Sequence, residues 1–286
     1  MNISILDVTF IIVTYKSEKV IKNCLDSLPK ESKKIIIENS KNQNLKKELL
    51  SNYDNIEVII SENIGMGASN NIGIQISETK YAYVINPDTF LKKDTMSNVI
   101  ETLKSIDDFT ILSPLNSNNN YPNYKIYNNQ TKNDSKVLDV DEVDGFSMLL
   151  NKSKFKNMNY FDENFFLYLE NSDLCKRVKN SGGKIFIFKN SLIDHLGASS
   201  TSISSNKDFE YLRNWHWMWS KFYFNKKHYG FPTATLKTLS NLFSSIIKFL
   251  YYLIIFNNYK RKIYQMRLSG LINSMIGKKS FYRLKT

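Results

Sequence analysis

At 286 residues and 42% apolar composition, the chain is long enough to bury a substantial core, and it is neither a disordered nor a fibrous sequence. Its two cysteines, Cys24 and Cys175, form no CxxC pair and no Cys/His cluster, which argues against a disulfide framework or a zinc site and for a reducing cytosol. The formal charge of +12 sits at one end: residues 206–286 hold 15 Lys/Arg against 2 Asp/Glu, and the rest of the chain sums to −1.

In chain order, residues 3–13 are interrupted by Asp7 and read as a first strand rather than as a signal peptide. Residues 9–15, 34–37, 56–61 and 81–85 are apolar, β-rich runs. Between them, residues 19–27, 45–51 and 68–77 carry apolar side chains at helical spacing. This alternation predicts an α/β fold with a mostly parallel sheet, helices on both faces, and ligands at the carboxyl ends of the strands. Residues 116–134, rich in Asn and Tyr, read as a surface loop. A second block of strand, helix and strand is expected over residues 140–150, 161–179 and 184–188.

The tail begins near residue 206 and interleaves cations with aromatic and apolar residues. Its longest apolar run, residues 242–256, falls short of the roughly 20 residues needed to span a bilayer and contains Lys248. The composition suits a segment that lies on a membrane surface. The competing reading is a helical cap packed on the main domain; nucleic acid is the weakest of the three partners.

Four clusters follow strand-like runs. After the second run, Glu38 is suited to accept from a ligand N–H while Asn39 and Ser40 are suited to cap the next helix, and capping alone is the competing reading. In ENIGMGASNNIG, Gly65 and Gly67 permit a tight loop before a helix. The dinucleotide fingerprint fails, because Asn70 stands in place of its third glycine. In INPDT, Pro87 ends the strand and leaves Asp88 facing the crevice, as a Mg²⁺ or Mn²⁺ ligand or as an ordinary turn residue. In FFLYLENSDLCKR, Glu170 and Asp173 are spaced to share a helix face, beside an apolar wall drawn from residues 161–168 that would raise a carboxylate pKa. His195, in DHLGASS, is suited to be a second metal ligand or a structural histidine.

The order of VTYKSEKVIKNCLDSL, IIIENS, ENIGMGASNNIGI, YVINPDT, VDGFSMLLNKSKF, FDENFFLYLENSDLCKR and DHLGASS resembles the bacterial family 2 glycosyltransferases of the GT-A fold, particularly rhamnosyltransferase-like members. The resemblance covers about residues 8–205. It implies a GT-A domain over 1–205, divided into a nucleotide-sugar half (1–110) and an acceptor half (111–205), followed by a helical region at 206–286. It further implies that Thr14, Tyr15, Glu38, Asn63, Gly67, Asn70, Asn86, Asp88 and Gly145 bind the nucleotide-sugar, and that Asp88 and His195 hold Mg²⁺ or Mn²⁺. Where the family commonly has Glu-Asp-x-Asp, this chain has Glu170-Asn171-Ser172-Asp173, so the base that deprotonates the acceptor is expected to be Asp173 or Glu170. The implied activity is inverting, metal-dependent sugar transfer from dTDP-rhamnose or a UDP-sugar to a lipid-linked or oligosaccharide acceptor in surface polysaccharide assembly, on the inner face of the cytoplasmic membrane. The alternative is a non-catalytic, membrane-associated partner of such an assembly complex.

Overall fold

The computed structural model describes residues 3–106, 108–118, 120–127, 136–197 and 206–284. It divides into two compact units, one of residues 1–162 with 170–202 and one of residues 163–169 with 203–286.

The first unit opens with strands β1 (Val8–Thr14), β2 (Lys33–Glu38), β3 (Ile56–Ile60) and β4 (Tyr81–Ile85), connected through helices α1 (Ile21–Asp26), α2 (Gln43–Asn52) and α3 (Met66–Ile76). The strands pair in parallel in the order β3-β2-β1-β4. Strands β1 and β4 are buried along their whole length, which is why they read as continuous apolar runs rather than as an alternation. Helix α2 is capped by Asn42, whose Oδ1 accepts from Leu45 N at 2.9 Å, so the cap is neither of the expected residues, Asn39 and Ser40. Gly73 lets α3 lie directly on β1: a Cβ at this position would stand 2.5 Å from Ile11 Cγ2.

Beyond β4 the chain forms β5 (Thr89–Leu91), α4 (Thr95–Ser105), β6 (Ile111–Asn116), β7 (Tyr124–Lys125), β8 (Val137–Asp139), β9 (Glu142–Val143), β10 (Ser147–Asn151), α5 (Glu170–Asn180) and β11 (Ile185–His195). The sheet becomes mixed here. Strand β10 runs antiparallel to both β4 and β6, β11 runs parallel to β6, and β5 and β8 pair antiparallel with β11. Neighbouring residues on the central strands serve opposite faces. Phe10, Tyr83, Leu149 and Phe188 join one core, and Ile11, Val84, Met148 and Ile187 the other.

Three expectations change. The run at 140–150 is two strands: β9 joins β7 in a separate ribbon, while β10 enters the main sheet. Residues 161–169 are not helical, and α5 begins only at Glu170, after Tyr168 and Leu169 with φ of 72° and 67°. Part of the loop expected at 116–134 is strand (β6 ends at Asn116, and β7 is Tyr124–Lys125), and its remainder at 119 and 128–134 lies outside the described residues.

The second unit is built on α6 (Lys207–Ile254) and α7 (Asn258–Met275). Helix α6 breaks at Gly230 (φ 82°, ψ 166°), just before Pro232. Proline lacks the amide hydrogen a continuous helix needs, and glycine tolerates the positive φ. The two arms fold together: Met218 and Phe222 of the first pack with Ala234 and Leu242 of the second and with Leu271 and Met275 of α7. Lys221 Nζ also donates to Asn241 Oδ1 at 2.7 Å. Gly270 allows α7 to cross the first arm, since a Cβ there would meet Trp215 O at 2.1 Å. Segment 163–169 belongs to this unit. Phe165 packs edge-on to Tyr223, Phe166 lies against His216, Ser220 Oγ donates to Leu167 O at 2.8 Å, and Arg213 Nε donates to Tyr168 Oη at 2.7 Å. No helix among the described residues is long and apolar enough to cross a membrane.

Candidate active site

Asp88 and His195 are brought together by strand pairing. In the Asn86-Pro87-Asp88-Thr89 turn, Thr89 N donates to Asn86 O at 3.2 Å, and Asn86 N is anchored on Phe146 O at 2.9 Å. This turn feeds β5, whose antiparallel pairing with β11 sets His195 opposite Thr89. Leu196 N then donates to Asp88 O at 3.1 Å. The consequence is a wholly buried Asp88 carboxylate with His195 Nε2 3.4 Å from its Oδ1. The imidazole is fixed by stacking on Phe146, with ring centroids 4.2 Å apart and planes 12° apart.

A carboxylate oxygen and an imidazole nitrogen are donors that Mg²⁺ or Mn²⁺ accepts. The described residues contain no group of three or more His, Cys, Asp or Glu side chains able to hold a metal. With two protein donors, most of the coordination positions of such an ion would have to be filled by other ligands. Sequence reasoning missed Asp144, whose carboxyl is raised above the usual range by burial, with Lys125 opposing, Glu142 adding and His195 opposing. Its signal was present in VDGFS, where only Gly145 was singled out.

The ENSD turn separates its polar residues into distinct environments. Glu170 is the first residue of α5 and half-buried, and its Oε2 is shielded with no hydrogen-bond partner among the described residues. Burial pushes its carboxyl up to about 7. It lies against the start of α3, where a Cβ on Gly67 would come within 3.0 Å of Phe161 Cβ and 3.4 Å of Glu170 Cβ. Asn171 faces β9: Nδ2 donates to Val143 O at 3.0 Å, and a Cβ on Gly145 would stand 3.2 Å from Asn171 Cβ. Asp173 is wholly buried and ion-paired to Arg177 Nε at 2.8 Å. Arg177 in turn donates to Asn159 O at 2.6 Å and to Tyr160 O. The expected apolar wall is only partly present, because Phe165 and Phe166 pack within the helical unit and Phe161 alone stays with the sheet.

At the ends of β1 and β2, Thr14 pairs in register with Glu38, and its Oγ1 donates to Ile37 O at 3.5 Å. Glu38 is buried and accepts from Ser40 N at 3.0 Å, Asn42 N at 2.7 Å and Ser40 Oγ. This carboxylate is largely committed to holding the loop before α2. Tyr15 is half-buried and hydrogen-bonded to Asn63, and burial raises its phenol. Gly65, at φ 104°, starts α3. Asn70 is buried with Oδ1 unpartnered among the described residues, as is Asn39 Oδ1, while Asn39 Nδ2 donates to Ser69 Oγ at 2.7 Å. Asn71, not singled out in the sequence, holds the backbone of Phe161 with both ends of its amide, at 2.9 and 3.0 Å. The final ASS of DHLGASS, at 198–200, lies outside the described residues.

The chain is 26% identical over 192 residues to the low-salt glycan biosynthesis hexosyltransferase Agl10 of Haloferax volcanii, spanning 60% of this chain and 62% of that protein. It is 26% identical over 208 residues to the rhamnosyltransferase WbbL of Escherichia coli, spanning 62% and 79%. In fold it is similar to the mannosyltransferase PcManGT of Pyrobaculum calidifontis, solved in complex with GDP-Man and Mn²⁺. The TM-score is 0.58 at 10% identity, over 96% of this chain and 88% of that one. A family model, glycosyl transferase family 2, matches residues 9–175, from the first strand through the ENSD turn to Cys175, and the protein belongs to that family.

Proposed function

We propose that the protein transfers a sugar from a nucleotide-diphosphate donor to an acceptor hydroxyl with inversion, and that Glu170 is the base. The observation that carries the reading is the Glu170 carboxyl: its Oε2 is shielded and without a hydrogen-bond partner among the described residues, and burial poises the group near neutrality. Asp173 is set aside as the base because its carboxylate is buried in an ion pair. In the single displacement, the acceptor O–H proton passes to Glu170 and the acceptor oxygen bonds to the anomeric carbon. The bond from that carbon to the diphosphate oxygen breaks, its electron pair leaving with the nucleoside diphosphate.

Asp88 and His195 would hold a Mg²⁺ or Mn²⁺ ion, which when bound would neutralise charge on the diphosphate. Thr14, Tyr15, Asn63, Gly67 and Asn70, from the ends of β1 and the start of α3, would surround the nucleotide. The names of the curated relatives support a hexosyl or rhamnosyl donor, and dTDP or UDP is the proposed carrier. The acceptor is a lipid-linked or oligosaccharide glycan in surface polysaccharide assembly. Residues 206–286 keep the enzyme peripheral on the inner face of the cytoplasmic membrane. Asn171, standing where an acid is common, favours a second reading: a non-catalytic partner in such an assembly.

A thermal-shift titration with UDP, dTDP, GDP and CMP, with and without Mn²⁺, beside Asp88→Ala, tests the proposal. Metal-dependent stabilisation by one pyrimidine diphosphate, lost in the variant, is expected. A well-folded protein stabilised by no nucleotide would replace the transferase with the non-catalytic partner.

A further inference from the structure

We infer that the second arm of α6 and the turn that follows it form a monotopic membrane-docking face, which lies along an anionic bilayer without crossing it. The inference deepens the membrane reading of residues 206–286 and is independent of the sugar-transfer chemistry.

The arm is apolar on the wrong side for a bundle helix. Leu236, Leu239, Phe243, Ile247, Leu250 and Ile254 recur at three- and four-residue spacing, so they form one stripe, and all six are exposed, Leu236 at 72% and Ile254 at 73%. The side turned into the unit carries the small residues Ala234, Thr238 and Ser245, all buried, with Leu242 packed inward beside them. At the end of the stripe the chain turns through Ile255 and Phe256. Phe256 is 87% exposed and carries a φ of 54°, at a position where a turn ordinarily has Gly or Asn. A turn tipped by bulky apolar residues is costly in water and favourable at a lipid interface.

Charge decides the occupant. Beyond Glu210 the chain contains no acidic residue. Lys248 lies over the Tyr264 ring at 5.4 Å, and Lys260, Arg261 and Lys262 open α7 directly after the tip. A second copy of the chain would set these cations against their own kind, whereas anionic headgroups complement them while acyl chains cover the stripe. From Leu236 to Phe256 the face extends about 30 Å at 1.5 Å per residue. It is anchored to the bundle on its other side, where Lys248 lies over Tyr264, so the helix lies in the interface plane.

The test is flotation of the full-length protein with phosphatidylcholine vesicles, with and without phosphatidylglycerol, at low and high salt. The variants are Phe243→Ser/Ile247→Ser/Leu250→Ser and Lys260→Gln/Arg261→Gln/Lys262→Gln. Binding to the anionic vesicles is expected, at least tenfold weaker in the apolar variant, with much of its salt dependence lost in the charge variant. A wild-type protein that fails to bind these vesicles overturns the membrane reading itself. A wild-type protein that binds while the apolar variant binds equally overturns the docking face alone. A concentration-dependent dimer abolished by the apolar variant, with no vesicle binding, would make the face a self-association surface.

Folding of the variants is checked by circular dichroism, and nucleotide thermal shift on the same preparations reports the sugar-transfer reading separately. Because Cys24 and Cys175 are buried, Ile247→Cys also gives one addressable thiol. A polarity-sensitive fluorophore there should brighten on anionic vesicles, and unchanged emission would overturn the assignment.

Discussion

At the scale of the residue, the ENSD turn shows how neighbouring polar side chains acquire different chemistry. Glu170, with Oε2 unpartnered among the described residues, sits near neutrality, while Asp173, with Arg177 one turn on, is locked. If Glu170 is the base, kcat/KM should rise about tenfold per pH unit below pH 7 and level above it, and Glu170→Gln should abolish transfer while retaining nucleotide binding. The Asp173–Arg177 pair was not read from the sequence, although its i,i+4 spacing is there. The shielding of Glu170 Oε2 was not legible there, because it depends on α3 and Gly67 meeting α5. Asn171 is explained by its amide: an ionised Asp could not donate to Val143 O and would face that carbonyl with a charge. Asn171→Asp should therefore lower stability by about 1–3 kcal/mol, read as a lower melting temperature at pH 8.

At the scale of the element, the parallel half was legible because buried parallel strands are continuous apolar runs, and β1 to β4 fall close to where the runs lie. The second half was less so. Strands β5, β7, β8 and β9 are two or three residues long and carry no periodicity, and exist through partners distant in sequence. Strand β11 was expected to stop at residue 188; its register shift between Phe188 and Leu192 carries it through Lys189-Asn190-Ser191 to His195. In the helical unit, His216 accepts from Ser280 Oγ at Nδ1 and donates from Nε2 to Tyr282 O, at 2.9 and 2.8 Å. That tautomer is neutral, and burial lowers its pKa to about 3. Its folded pKa is below its unfolded value of 6.5, so its stabilising contribution is complete above pH 6.5 and shrinks as pH falls toward 3, by up to about 1.4 kcal/mol per unit. His216→Phe should flatten that part of the stability–pH curve measured by denaturant titration.

At the scale of the whole molecule, the uneven charge marked residues 206–286 as basic, but gave no sign that seven residues from the middle of the chain would be packed with them. Segment 163–169 joins the helical unit through Phe165, Phe166, Leu167 and Tyr168, and the next residue is Glu170. A chain ending at residue 205 keeps this segment and loses the residues that cover it. It should express poorly or aggregate, seen as a void-volume peak on size exclusion, rather than behave as a free-standing family 2 domain. The same feature constrains how the protein can be recombined. A tail is the part of an enzyme most easily traded between relatives as a cassette, yet here a graft at residue 206 would bring foreign helices to a strap shaped for others. Swapped chimaeras should work only when residues 163–169 travel with the helices they fit.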